Sequence, residues 1–195
     1  MSKNWVEFLK GNPGYDALVS SVMIGELIKA VNGYATPPDK LLEVGFGTGF
    51  TAIALSKLGY KVYAVDEIFE LIEPAEKENE KRQGSVVFLN LNNSQLWNYF
   101  LESAISFQLI YHQGLLEHFS DEKIVEMLNQ QIPLCRYLVF SVPSINYGGQ
   151  DFGDEKLMCL ADWQKILNDF EIVESKYYDE AKHILIVLKG GFNGK

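Results

Sequence analysis

Leu41-Leu42-Glu43-Val44-Gly45-Phe46-Gly47-Thr48-Gly49-Phe50 is the stretch whose reading decides the fold. An apolar run ends in an acid, and a tight glycine loop follows. Beyond the loop, Thr51 to Leu58 reads as a helix stopped by Gly59, and a second apolar run, Lys61-Val62-Tyr63-Ala64-Val65, ends in Asp66. Strand, glycine turn, helix, strand and acid make one βαβ unit. A right-handed crossover makes the two strands parallel neighbours. The glycine loop and Asp66 then lie together at the carboxyl edge of the sheet, where open α/β folds bind ligands. A residue without Cβ tolerates positive φ and lets a ligand approach the backbone closely. Gly45, Gly47 and Gly49 alternate, so the loop is bare along one side, and Asp66 is placed to accept two hydrogen bonds from a ribose diol. The alternative, a structural turn with no ligand, is weakened by the acid that ends the next strand.

The dinucleotide fingerprint is G-x-G-x-x-G, with its third glycine packing helix on strand. Here Phe50 stands where that glycine belongs, and Gly49 comes one place early. Glu43-Val44-Gly45-Phe46-Gly47-Thr48-Gly49 instead resembles motif I, E/D-x-G-x-G-x-G, of the class I S-adenosylmethionine-dependent methyltransferases. That methyl donor carries no phosphate. The resemblance implies that its methionine portion and ribose lie against the loop, with Asp66 on the ribose hydroxyls. The cofactor contacts it implies in this stretch are Glu43, Gly45, Phe46, Gly47, Gly49, Asp66 and Glu67.

A chain of 195 residues suits one domain, burying roughly 70% of its unfolded surface. Its net charge of −9 repels phosphate backbones, which argues against a nucleic-acid substrate. Lys77, Lys81 and Arg82 are interleaved with Glu76, Glu78 and Glu80 and read as a solvated helix face. Cys135 and Cys159 form neither a disulfide framework nor a metal spacing, and His112, His118 and His183 are scattered, so no metal is expected. No apolar run approaches the roughly 20 residues that span a bilayer. Met1 to Lys10 is too polar for a signal peptide, so the cytoplasm is the expected location.

Residues 1–36 precede the first core strand and read as two helices, broken at Gly11-Asn12-Pro13-Gly14. In the family such helices often cover the site, which makes Trp5, Phe8 and Tyr15 candidates for the pocket wall. Packing on the sheet edge is the other reading. Ile68 to Arg82 reads as a helix whose regular part begins near Glu73 because of Pro74. Ser85 to Leu89 is the third strand, followed by Asn90-Leu91-Asn92-Asn93. The family often has an acid here that bonds the adenine amino group. In its place the side-chain carbonyl of Asn90 or Asn92 would accept from the amine, with Leu91 beside them, although asparagines also favour plain turns.

Gln95 to Ser103 reads as a short helix, and Phe107 to Tyr111 as the fourth strand. His112-Gln113-Gly114-Leu115-Leu116-Glu117-His118 then resembles the family's fourth-strand segment, with Gln108 where an acid is usual. Residues just past this strand face the donor methyl in the family. His112, Gln113 and His118 are therefore pocket candidates, and a neutral imidazole of His112 or His118 could serve as general base. Ser120 caps a helix, and Tyr137 to Val142 is the fifth strand. The segment 144–159 reads as a lid loop with Tyr147, Asp151 and Phe152 as substrate contacts, a solvated connection being the alternative. Asp162 to Leu167 is a further helix. Phe170–Tyr178 and His183–Leu188 are strands joined so closely that they must be antiparallel.

The expected fold is a three-layer αβα sandwich over 1–195, its Rossmann-like core at 39–188. The resemblance implies a seven-stranded, mostly parallel sheet of order 3-2-1-4-5-7-6 with strand 7 antiparallel. The expected function is methyl transfer from S-adenosylmethionine to a small-molecule O, N or S acceptor, by a monomer or homodimer. Two alternatives remain: a non-catalytic S-adenosylmethionine-binding module, and a nicotinamide-dependent oxidoreductase, which Phe50 and the terminal hairpin oppose.

Overall fold

The computed structural model describes residues 17–151 and 153–192. Helix α1 (Ala17–Tyr34) leads into β1 (Lys40–Val44), α2 (Phe50–Lys57) and β2 (Lys61–Asp66). A 3-10 turn at Phe69–Leu71 opens α3 (Ile72–Lys81). Pro74 is the third residue of α3, where its missing N–H falls among donors that have no helical partner anyway. Then come β3 (Val87–Asn90), α4 (Asn93–Glu102), β4 (Phe107–Gln113), α5 (Asp121–Gln131), β5 (Cys135–Pro143), α6 (Leu160–Ile166), β6 (Ile172–Tyr178) and β7 (His183–Lys189).

Among the described residues the seven strands form one sheet of order β3-β2-β1-β4-β5-β7-β6. β1 to β5 are mutually parallel, and β7 runs antiparallel to β5 on one side and β6 on the other. Val44 stands opposite Val65 and Glu43 opposite Tyr111, so the carboxyl ends of β1, β2 and β4 finish level.

The period-2 alternation of each strand divides the interior into two cores. Leu41, Val62, Ala64, Leu109, Tyr111 and Val139 pack with Leu27 and Val31 of α1, Ala52 and Leu55 of α2 and Ala75 of α3. Their neighbours in sequence, Leu42, Val65, Ile110, Leu138 and Phe140, pack with Phe100 of α4, Met127 and Leu128 of α5 and Trp163 of α6. A continuous apolar strand is what two covered faces require. β7 shows it fully, with His183 to Leu188 all buried. Among the described residues no helix is long and apolar enough to cross a membrane.

Candidate active site

The loop between β1 and α2 has the left-handed backbone its glycines permit, with φ of +73° at Gly45, +54° at Gly47 and +71° at Gly49. The three positions do different work. A Cβ added to Gly47 would meet no atom within 4 Å, so this residue faces open space. A Cβ on Gly49 would lie 2.8 Å from the Phe88 ring, so this residue lets α2 approach β3. Gly49 thus takes over the helix-packing duty of the third dinucleotide glycine, one position early, and it does not line the cleft. Phe46 turns into the core and meets Phe88 edge-on at 5.0 Å.

Asp66, at the end of β2, anchors this loop. One carboxylate oxygen accepts the Gly47 N–H at 3.1 Å, and the other accepts the Ile68 N–H at 3.0 Å. Each oxygen keeps acceptor capacity for a ligand. Burial pushes its pKa up, and the amides of Ile68 and Gly47 oppose the shift. Glu43 is buried beneath the loop, accepting from the Tyr111 hydroxyl at 3.2 Å, and burial pushes its pKa up to about 8.

These groups line one end of a cleft of about 1390 Å³ along the carboxyl edge of the sheet. The segment after β4 leads to the other end. Leu115 packs against the Gly45 backbone, 3.0 Å from where a Cβ would sit. Glu117 and His118 follow in a 3-10 turn, Leu116–His118. Glu117 is buried, and desolvation together with the charges of Glu155 and Asp154 pushes its pKa up to about 8. His118 Nδ1 lies 2.7 Å from an Asp154 carboxylate oxygen. Tyr147 donates its hydroxyl to Asp151 at 2.8 Å. His183 lies between the Tyr178 ring, stacked at 5.2 Å, and the Tyr147 ring, edge-on at 5.2 Å.

A methyltransferase-domain family profile matches residues 41–136, the stretch holding the loop, Asp66 and the segment after β4. The matched stretch is just under half of the chain, and over it the chain is similar to a methyltransferase domain. Protein-L-isoaspartate O-methyltransferase of Chlorobium phaeobacteroides is 36% identical over 64 residues, which cover 33% of this chain and 30% of that protein. Ribosomal protein L11 methyltransferase of Thermus thermophilus is 42% identical over 57 residues, 29% of this chain and 22% of that protein. The chain thus matches about a third or less of the length of these relatives. In fold it is similar to an S-adenosylmethionine-dependent methyltransferase from Clostridium acetobutylicum, with a TM-score of 0.73 and 14% identity over 95% of this chain and 99% of that one. It is likewise similar to magnesium protoporphyrin IX methyltransferase of Synechocystis with bound SAM, with a TM-score of 0.67 and 17% identity over 86% and 78%.

Within this methyltransferase fold, Glu43, Gly45, Phe46, Gly47, Asp66 and Glu67 border the cleft, as do Leu91, Asn92, Gln113, His118, Tyr147 and Asp151. Trp5, Phe8, Tyr15 and Phe152 fall outside the described residues. Three other expectations need correction. β4 runs two residues further than expected, so His112 lies inside a strand rather than past one. Alternation turns it away from Tyr111 and Gln113 into the α5 side, where Nε2 meets Gln131 at 2.5 Å in full burial. Burial pushes its pKa down to about 4, and it does not border the cleft. β3 likewise extends to Asn90, whose amide donates to the Asp66 carbonyl at 3.0 Å, outside the cleft wall. Asn92 does border the cleft, but it caps α4. Its carbonyl oxygen already accepts from the Gln95 N–H at 3.0 Å and the Ser94 hydroxyl at 2.7 Å. Both lone pairs are occupied, so it offers a ligand only its NH2 group.

The sequence reading missed His183 and Glu155. A signal for His183 existed: a strand antiparallel to β5 begins where β5 ends. Pro143 pairs with His183, which brings the first residue of β7 to the ligand edge. Glu155 lies in irregular chain without periodicity and had no such signal.

Proposed function

We propose that the protein is a methyltransferase that binds S-adenosylmethionine at the glycine-loop end of the cleft and a small-molecule acceptor at the other. The observation that carries this reading is Asp66. Its carboxylate is tied to the Gly47 amide, faces the cleft and retains acceptor capacity beside a loop with no side chain at Gly45 or Gly47. A ribose diol fits that arrangement, and the nearby loop carries no cationic side chain of the kind a pyrophosphate favours. The donor supplies a methyl group already activated by its sulfonium charge. The chain's own part is alignment, and proximity in a well-oriented pair contributes several kcal/mol. Gly45, Gly47, Asp66 and Glu67 hold the nucleoside portion, with Leu91 and Asn92 flanking it. Gln113 lies at the boundary with the acceptor end, which Tyr147 and Asp151 help wall. The net charge of −9 argues against nucleic acid as the acceptor.

Calorimetric titration with S-adenosylmethionine, S-adenosylhomocysteine and NADH tests the reading. Micromolar binding of the first two and none of NADH is expected. Binding of NADH alone would overturn it.

A further inference from the structure

The end of the cleft away from the glycine loop carries its own constellation. His118, Asp154 and Glu155 each present one ligand atom, and these three atoms lie within 4.8 Å of one another. Two carboxylates and an imidazole at that spacing are a donor set for a divalent first-row cation. Spacing along the chain hides it, because 36 residues separate His118 from Asp154. The fold assembles it by running the backbone after β5 past the turn after β4, where the Lys156 N–H donates to the Glu117 carbonyl at 2.9 Å.

An independent feature points the same way. Glu117 is 3% exposed, borders the same cleft, and its Oε2 is buried with no hydrogen-bond partner. A buried carboxylate oxygen without a partner is costly. The lysines nearest in sequence are turned elsewhere: Lys156 pairs with Asp121, and Lys123 with Glu126 at 2.8 Å. A positive charge seated among these carboxylates relieves the mismatch.

We propose that His118, Asp154 and Glu155 bind one divalent cation of the Mn²⁺ or Zn²⁺ type, with Glu117 as the buried carboxylate behind it. This makes His118 a ligand rather than a base. That the cation lies on the acceptor side of the cleft rests on the methyltransferase reading; the binding site itself does not.

The test is titration of the full chain with Mn²⁺ alone, followed by electron paramagnetic resonance and calorimetry. One saturable equivalent is expected, weakened at least tenfold in Asp154→Asn and in Glu155→Gln and unchanged in Asp121→Asn, which removes a surface acid close by. Asp154 is exposed, so its variant keeps the fold even if the buried Glu155→Gln does not. Absence of saturable binding, or equal loss in Asp121→Asn, would overturn the site. A parallel titration with S-adenosylmethionine separates the two claims. Cofactor binding without Mn²⁺ binding sinks the cation site alone; Mn²⁺ binding without cofactor binding sinks the function and leaves the cation site standing.

Discussion

The two ends of the cleft are built in opposite ways. At the glycine-loop end the shape is backbone: positive φ angles, missing Cβ atoms and amides fixed by one aspartate. At the far end the wall is side chain, with Glu117, His118, Tyr147, Glu155 and His183 arriving from three separate stretches. A backbone cradle suits a ligand that every member of a family shares, since little in it can be exchanged without changing the chain's path. A side-chain wall can be rewritten residue by residue. Under the proposed function, the cofactor takes the first end and the acceptor's specificity is set at the second.

The sharpest way to break this comparison lies inside the glycine loop. Gly49→Val should cost about 3 kcal/mol or more, combining a forced contact with Phe88 and a β-branched residue at positive φ. Calorimetry should then show a Tm lowered by roughly 6–12 °C. Gly47→Val has open space for its side chain, so it should lower Tm less while abolishing S-adenosylmethionine binding. Equal effects of the two on Tm and on binding would contradict the division of labour between them.

Asp66→Ala comes next. Losing a charge-assisted hydrogen-bonding group should weaken S-adenosylmethionine binding by about 1.5–3 kcal/mol, read as Kd by titration, and unchanged affinity would remove Asp66 from the site. Tyr147→Phe probes the other end. It removes the bond to the Asp151 carboxylate and should lower kcat/KM for the acceptor by roughly fivefold, the scale of one solvent-exposed hydrogen bond, with cofactor Kd unchanged. A shift in cofactor Kd instead would blur the two ends.

A pH slope probes the acid beneath the loop. Glu43 is raised by burial from 4.5 to about 8. The folded state therefore holds its proton more tightly than the unfolded chain. The stability this gives is complete below pH 4.5 and is lost as pH rises through about 8. Glu43→Gln should flatten that decline in urea unfolding measured from pH 5 to pH 8.

The same contrast explains what was legible in the sequence. The βαβ unit and the glycine loop follow from local patterns, because an apolar run ending in Gly-x-Gly-x-Gly has few other structures available, whereas the strand order came with the family resemblance. Strand ends were harder. His112 and Asn90 were expected in loops because they are polar, yet a buried partner at Gln131 and a carbonyl at Asp66 let their strands continue. The far end of the cleft was hardest to read. Glu155 and His118 meet only because distant chain segments cross, and no periodicity records such a crossing. Asn92 teaches a finer lesson: its residue type fits an adenine acceptor, but the capping of α4 had already used the oxygen.

The position of β7 has a consequence for how the molecule assembles. It inserts between β5 and β6, pairing Tyr137 with Lys189 and Tyr178 with His183. Until it arrives, β5 presents an open edge whose Leu138, Val139 and Phe140 are all destined for the interior. Pairings across so many residues form slowly because the intervening chain must close first. An unpaired apolar edge is meanwhile a template for another chain. The last of the described strands in chain order is thus the one that seals the sheet, and aggregation during refolding should compete most strongly at the β5 edge.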